Sequence, residues 1–356
     1  MRAVLLGCSL LISLAATAQV APRYEVYVTN ERSGDVTVID GGNFKVLATI
    51  PVGKRPRGIQ VSPNGKTVYV AVSGTPIKAP PQIDANGNPV FAKKKGKDDD
   101  DDDDANADKA ADGIAVVDVA SKKFVKKVNA GSDPEEFALS KDGKQIYISN
   151  EDVKTASVVS IATAKLEHII PVGLEPEGVT TTPDGKQFYV TCEAGGDIYV
   201  IETGAFSVAA HFKVKGRPRS VAFLSNGAIG FIPSESASEI NVIDALKAQV
   251  LQTVTLPPGS RPMRVKLSID EKKLFVSNGR AGTISVLDSH SYELLNTIKV
   301  GDRPWGIGVS PDGKFLFAAN GPSNDVSVVD LQSNLEIARI NAGSSPWGLV
   351  IVAHAH

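Results

Sequence analysis

The chain has 356 residues, a formal net charge of −2 and 42% hydrophobic residues. That is enough apolar material for a large packed domain, and a charge too balanced to imply a nucleic-acid partner. Apart from the N-terminus, no segment approaches the roughly 20 apolar residues that a membrane-spanning helix needs.

Met1 and Arg2 give a positive start, Ala3 to Leu14 an apolar stretch, and Ala16-Thr17-Ala18 a small-residue cleavage signal. This pattern predicts an export leader over residues 1–18, with residues 19–356 forming a single mature domain in the periplasm or outside the cell. Removing the leader removes Cys8 and leaves Cys192 as the one cysteine, so no internal disulfide can form. Stability must then come from packing.

The mature chain opens with three strand-like runs, Tyr24 to Asn30, Val36 to Asp40 and Val46 to Ile50. A proline-centred motif then recurs seven times, with prolines at Pro56, Pro134, Pro176, Pro218, Pro262, Pro304 and Pro346. Their separations are 78, 42, 42, 44, 42 and 42 residues. Removing the roughly 39-residue insertion from the first interval brings it close to the four-stranded blade period of a β-propeller. Each unit reads as strand and turn only. In the sixth, Ile307 to Val309, Phe315 to Asn320, Val326 to Asp330 and Glu336 to Ile340 are strands, with a turn at Ser310-Pro311-Asp312-Gly313. After Pro346 only Trp347 to Val352 remains, one inner strand, which the three opening strands lack. The sequence therefore predicts an all-β, seven-bladed propeller with four antiparallel strands per blade and a last blade closed by both chain ends.

The insertion spans roughly Gly74 to Asp112, between the second and third strands of the first blade, and carries aspartates at every position from Asp98 to Asp104. Charge without apolar period predicts a disordered acidic loop over residues 74–112. It lacks the spaced ligands and turn glycine of a calcium loop, so a solvated segment is favoured over an ion site. The acids that end third strands, Asp40, Asp118, Glu202, Asp244, Asp288 and Asp330, are expected to bond turn amides.

Loops entering inner strands and loops leaving second strands share one face and line one funnel. Positions that differ between blades are the candidate site. Around the prolines and second-strand ends lie Glu135, Glu177 and Glu193 in blades two and three. Arg57, Arg219, Arg264 and Arg303 lie in other sectors, with Trp305 and Trp347 adjacent in blades six and seven. This predicts an acidic arc facing a basic arc. Two readings stand: a site in which guanidinium groups grip a small polar ligand and an indole stacks on it, or a structural network of paired charges with packed indoles. The five histidines show no metal-ligand spacing, no haem attachment motif occurs, and no metal or cofactor is implied. Cys192, beside Glu193, reads as an inert thiol.

Tyr27-Val28-Thr29-Asn30, with the repeated Val-Gly-x-x-Pro-x-Gly, Ser-Pro-Asp-Gly-Lys and Ser-Val-Val-Asp units, resembles the YVTN β-propeller repeat family over essentially the whole mature chain. Arg55 to Gly58, Asp133 to Leu139, Ile148 to Asp152, Glu175 to Gly178 and Asn320 to Asp330 resemble the PQQ-dependent catabolism-associated β-propeller proteins. That resemblance implies a periplasmic binding or accessory scaffold, engaging a small polar ligand or a protein partner of an oxidative pathway. It implies neither enzymatic activity nor a bound quinone. Two alternatives stand beside it. One is a lactonase-like hydrolase, with Arg219 or Arg264 polarising a carbonyl and Glu177 or Glu193 as base; the other is a structural envelope protein.

Overall fold

The computed structural model describes residues 23–77, 82–83, 89–90 and 107–354. The expected leader over residues 1–18 and the run Asp98 to Asp104 lie outside the described residues. Seven four-stranded antiparallel sheets follow one another along the chain. Blade one is built from Ile59–Val61, Thr67–Val72, Gly113–Asp118 and Lys123–Val128. In blade seven Pro346–Ala353 lies innermost and pairs with Tyr24–Asn30, Tyr24 opposite Ala353 and Val28 opposite Leu349. Asp35–Asp40 and Val46–Pro51 complete that sheet.

Both faces of each second and third strand are buried, because each sheet packs between two neighbours. The two-residue period of a strand shows this directly. In Tyr24–Asn30, Val26 and Val28 pack against Phe317 of blade six, while Tyr27 between them packs against Val68 and Val70 of blade one. Seven such apolar clusters fill the seven gaps between blades. Outer strands are largely exposed, as in Lys123–Val128, where Val128 alone is buried.

The turns follow the chemistry read from the sequence. The hydroxyl of Ser310 accepts the amide of Phe315 at 2.9 Å and donates to Asp312 at 2.6 Å, and Gly313 takes φ +70°. Asp40, Asp118, Asp244, Asp288 and Asp330 accept amides two or three residues on. Glu202 makes no such side-chain bond among the described residues, its extra methylene setting the carboxylate beyond the adjacent amides.

The insertion leaves from the expected loop, but its ends are ordered, which corrects the expectation of disorder across 74–112. Asp112 is buried and accepts the amides of Gly74, at 2.8 Å, and Asp133, at 3.1 Å. Lys109–Ala111 forms a single 3-10 turn, and Lys54 pairs with Asp108 at 2.8 Å. The amide of Asp108 also donates to the Gly74 carbonyl. These bonds tie the base of the insertion to blades one and two, where composition alone suggested nothing to hold it. Within it, Gln82–Ile83 pairs with Pro89–Val90.

A chain ending at Ser345 leaves Tyr24–Asn30 with a bare edge and opens the ring. We expect its melting temperature to fall by on the order of 10 °C or more, with a broadened transition in calorimetry. An unchanged, equally sharp transition would show that closure is not structural.

Candidate functional site

The mouth is built by a backbone device repeated around the ring. The residue before the motif proline sits in the left-handed region at Arg55, Asp133, Glu175, Arg261, Arg303 and Ser345, with φ between +46° and +61°. Such a conformation is costly for a side chain ahead of proline, and it turns the chain down into the channel. The inner strands then bulge. Register slips between Pro134 and Phe137, Pro176 and Gly178, Pro262 and Arg264, and Pro304 and Ile307. These bulges aim Glu135, Glu136, Glu177 and Trp305 at the mouth.

In three blades a second-strand hydroxyl then ties the inner strand to that of the next blade. Thr29 accepts the amide of Gly348 and donates to the carbonyl of Arg57, both at 2.8 Å. Ser149 donates to the Glu177 carbonyl at 2.6 Å, and Ser277 to the Trp305 carbonyl at 2.7 Å. Glycine in the motif allows this approach. A Cβ on Gly348 would lie 2.6 Å from the Arg57 carbonyl oxygen, and one on Gly178 would lie 2.3 Å from that of Arg219.

All nine candidate residues gather on this face, but the two arcs do not stay apart. Arg57 pairs with Glu31 at 2.8 Å and contacts Glu135. Arg219 is buried and contacts Glu177, Glu193 and Glu235 at once. Arg264 of blade five reaches across the ring to Glu136 of blade two. Outside the nine, Arg55, Arg217 and Arg261 are paired as well. The separated arcs expected from the sequence are thus an interlocked network. Burial of Glu135, Glu177 and Glu193 requires nearby guanidinium groups, and the neck brings opposite blades close enough to supply them.

The carboxyls divide by how many guanidiniums each faces. Burial pushes Glu31 and Glu235 up, but the two arginines paired with each outweigh it and hold both below the usual carboxylate range. For Glu136, burial outweighs its one partner Arg264 and the pKa is raised. Glu177 is also raised, chiefly by burial, because it shares Arg219 with two further glutamates.

Arg303 differs from the other mouth arginines. Among the described residues it has no carboxylate within ion-pair distance, and it stands at the edge of the mouth, reached by solvent yet partly desolvated by the walls. Its guanidinium lies over the Trp305 ring, 5.1 Å from the centroid. Burial by the walls of the mouth and the like charges of Arg219 and Arg261 hold its pKa below the ordinary value, despite the opposing pull of Glu235 and Glu31. Arg219 lies 5.1 Å from the same ring, and Trp305 stacks on Trp347 at 5.0 Å and 25°. Arg57 and Arg264 flank Trp347 at 6.0 and 5.8 Å.

Below the Glu136–Arg264 pair, a cavity of about 740 Å³ runs down the ring to the turns holding Pro63 and Pro183. Its wall is largely aliphatic, with Lys266, Lys141 and Glu271 among the charged residues that line it. Burial lowers the Lys266 amine below the ordinary lysine value. Sequence reading missed Lys266, Glu31 and Glu235; the strand alternation Arg264, Lys266 after Pro262 is the signal that both face the axis. Cys192 is buried, and burial pushes its thiol up to about 12, consistent with an inert group. His211 pairs with Asp197 at 2.6 Å and His168 stacks on Phe206, both away from the mouth. No helix of the described residues is long and apolar enough to cross a membrane.

The class is a seven-bladed β-propeller, and its second half is similar to the lactonase type. Residues 178–341 match the family model described as "Lactonase, 7-bladed beta-propeller", and residues 13–174 match that described as "Choice-of-anchor I domain". The uncharacterized protein YncE of Salmonella typhi is 36% identical over 69 residues, 18% of this chain and 20% of that protein. The match thus spans about one fifth of that relative. A putative 6-phosphogluconolactonase of Bacteroides fragilis superposes with a TM-score of 0.71 at 17% identity, over 96% of this chain and 100% of that one. The periplasmic gluconolactonase PpgL of Pseudomonas aeruginosa gives 0.68 at 19%, over 93% and 99%. Hydrazine synthase of Kuenenia stuttgartiensis gives 0.66 at 18%, over 84% and 96%. At these identities the solved structures establish the shared fold alone.

Replacing Arg219 with methionine leaves Glu177, Glu193 and Glu235 facing one another. We expect denaturant unfolding at pH 7 to show a loss of about 3 kcal/mol. Because the folded-state pKa of Glu177 lies above its unfolded value, stability falls as pH rises through it. Part of the loss should therefore return on acidifying toward pH 5. An equal deficit at both pH values would contradict the assignment.

Proposed function

We propose that the mouth is the site of a lactonase-type hydrolase acting on a small polyhydroxylated or acid-bearing lactone in the periplasm or outside the cell. The observation that carries this reading is Arg303, a guanidinium without a carboxylate partner, poised on an indole in a mouth where burial raises the pKa of Glu136 and Glu177. In the proposed reaction the sugar ring packs on Trp305 and the lactone carbonyl oxygen accepts hydrogen bonds from Arg303. Glu177 takes a proton from the attacking water, and the ring oxygen leaves and is reprotonated. A carboxylate with raised pKa is the stronger base, and a fixed guanidinium stabilises the charge that develops on the carbonyl oxygen. The match of residues 178–341 to the lactonase model supports this reading, as does the fold shared with proteins named as gluconolactonases. Arg303 takes the role that sequence reading gave to Arg219 or Arg264, whose guanidiniums are already engaged by glutamates.

A second reading follows from the same saturation of charge. Six of the seven arginines Arg55, Arg57, Arg217, Arg219, Arg261, Arg264 and Arg303 are paired internally. A mouth so neutralised suits a binding or accessory scaffold, the role implied by resemblance to the proteins associated with PQQ-dependent catabolism.

Hydrolysis of glucono-δ-lactone and related lactones, followed by proton release, separates the two. We expect turnover by the parent chain and a loss of about 100-fold in kcat/KM for Arg303→Met. Its melting temperature should stay unchanged, since Arg303 makes no ion pair. A parent chain inert toward every lactone tried removes the hydrolase reading and leaves the scaffold.

A further inference from the structure

We infer that Asp133, Glu135 and Glu151 form a binding site for a hard divalent cation, calcium by preference, on the mouth side of blade two. One carboxylate oxygen from each falls within 4.8 Å of the other two. Oxygens bound to one calcium ion at about 2.4 Å lie at most about 4.8 Å apart, so the three can share an ion without rearranging the backbone. The inference does not depend on the lactonase reading.

The second observation is an orphaned oxygen. Glu135 is only 3% exposed, and it gives Oε1 to Arg57. Its Oε2 is buried without a hydrogen-bond partner and so keeps its lone pairs free for an ion. A buried carboxylate oxygen with nothing to bond is costly, and a cation answers that cost. Asp133 is held in the same way. Its Oδ1 is engaged by Ser73 and by Arg55, the latter at 3.3 Å, and its amide donates to Asp112. These donors fix two of the three carboxylates from behind, as the outer groups around a metal site do. Glu151 is half-buried, and its carboxylate has no hydrogen bond or ion pair among the described residues. It is the arm able to close on an ion from the solvent side.

Charge points the same way. Glu31, Asp133 and Glu135 share Arg55 and Arg57 as their ion-pair partners, and Glu151 adds a fourth carboxylate with none. The next cation that Glu151 influences is Arg219, already in contact with three glutamates. Asp112, buried against Asp133, adds a fifth carboxylate, so acids outnumber guanidiniums here and leave net negative charge for a cation to answer. The donors are all oxygen, which disfavours zinc and copper and suits calcium, magnesium or manganese. Three protein ligands leave positions for water and match the adaptable coordination of calcium better than the strict octahedron of magnesium.

The test uses the full mature chain, freed of metal with a chelator, in thermal-shift and calorimetric titrations with calcium, magnesium and manganese chlorides. Saturating calcium should raise the melting temperature by about 5 °C. Glu151→Gln, at a position that supports no other contact, should fold normally and lose the shift, and Asp133→Asn should lose it too. A chain with asparagine in place of the aspartates from Asp98 to Asp104 should keep it. No shift with any of the three ions overturns the inference. So does a shift that survives Glu151→Gln, and if that shift disappears in the asparagine chain, the ion belongs to the aspartate run instead.

Discussion

The mouth depends on one hydrogen bond repeated between blades, in which a hydroxyl near the end of a second strand holds the carbonyl of the next blade's inner strand. Thr29, Ser149 and Ser277 make it, and the carbonyls they hold belong to Arg57, Glu177 and Trp305. Each bond joins two sheets that otherwise touch through aliphatic side chains, which slide more easily than directional bonds allow. The asparagine that follows each hydroxyl adds a second tie, donating to the third strand from Asn30, Asn150 and Asn278. The four-residue word Tyr-Val-Thr-Asn therefore has a mechanical meaning. Its tyrosine and valine fill opposite interblade gaps, its threonine sets the neighbour's mouth residue, and its asparagine fixes the turn.

On this frame the charges solve a packing problem. Seven inner strands converge on a narrow neck, and the bulges there aim long polar side chains at one another. Carboxylates crowded in this way are tolerable only if guanidinium groups reach them, and Arg219 and Arg264 do so from other blades. Pairing across the neck stiffens the ring along its diameter, whereas the hydroxyl bonds stiffen it along its circumference. Arg303 on the indole and the buried oxygen of Glu135 that accepts no hydrogen bond fall outside this compensation.

The fold was legible because a repeat announces itself: the proline spacing counted the blades, and the unmatched strands at the two ends showed how they close. The membership of the mouth was legible for the same reason, since aligned blades put equivalent residues at equivalent depth. Partnership was not. Glu136 and Arg264 are 128 residues apart and meet only because blades two and five face each other across the axis. Nothing in local composition specifies which pairs of blades reach across. Glu31 and Glu235 follow second strands as Glu193 does, but they stand in blades seven and four, outside the acidic arc that the sequence suggested in blades two and three. The base of the insertion is held by bonds within it and to its neighbours, Asp112 accepting the amides of Gly74 and Asp133, which composition does not reveal.

The protein contains two tryptophans, and both stand in the mouth, stacked on each other with cationic groups against their outer faces. Its tryptophan signal consequently comes from one stacked pair rather than from an average over scattered sites. Whatever enters beside the indoles perturbs that signal directly, while events at the rim of the ring leave it untouched. The molecule thus carries its own optical gauge of occupancy, requiring no label.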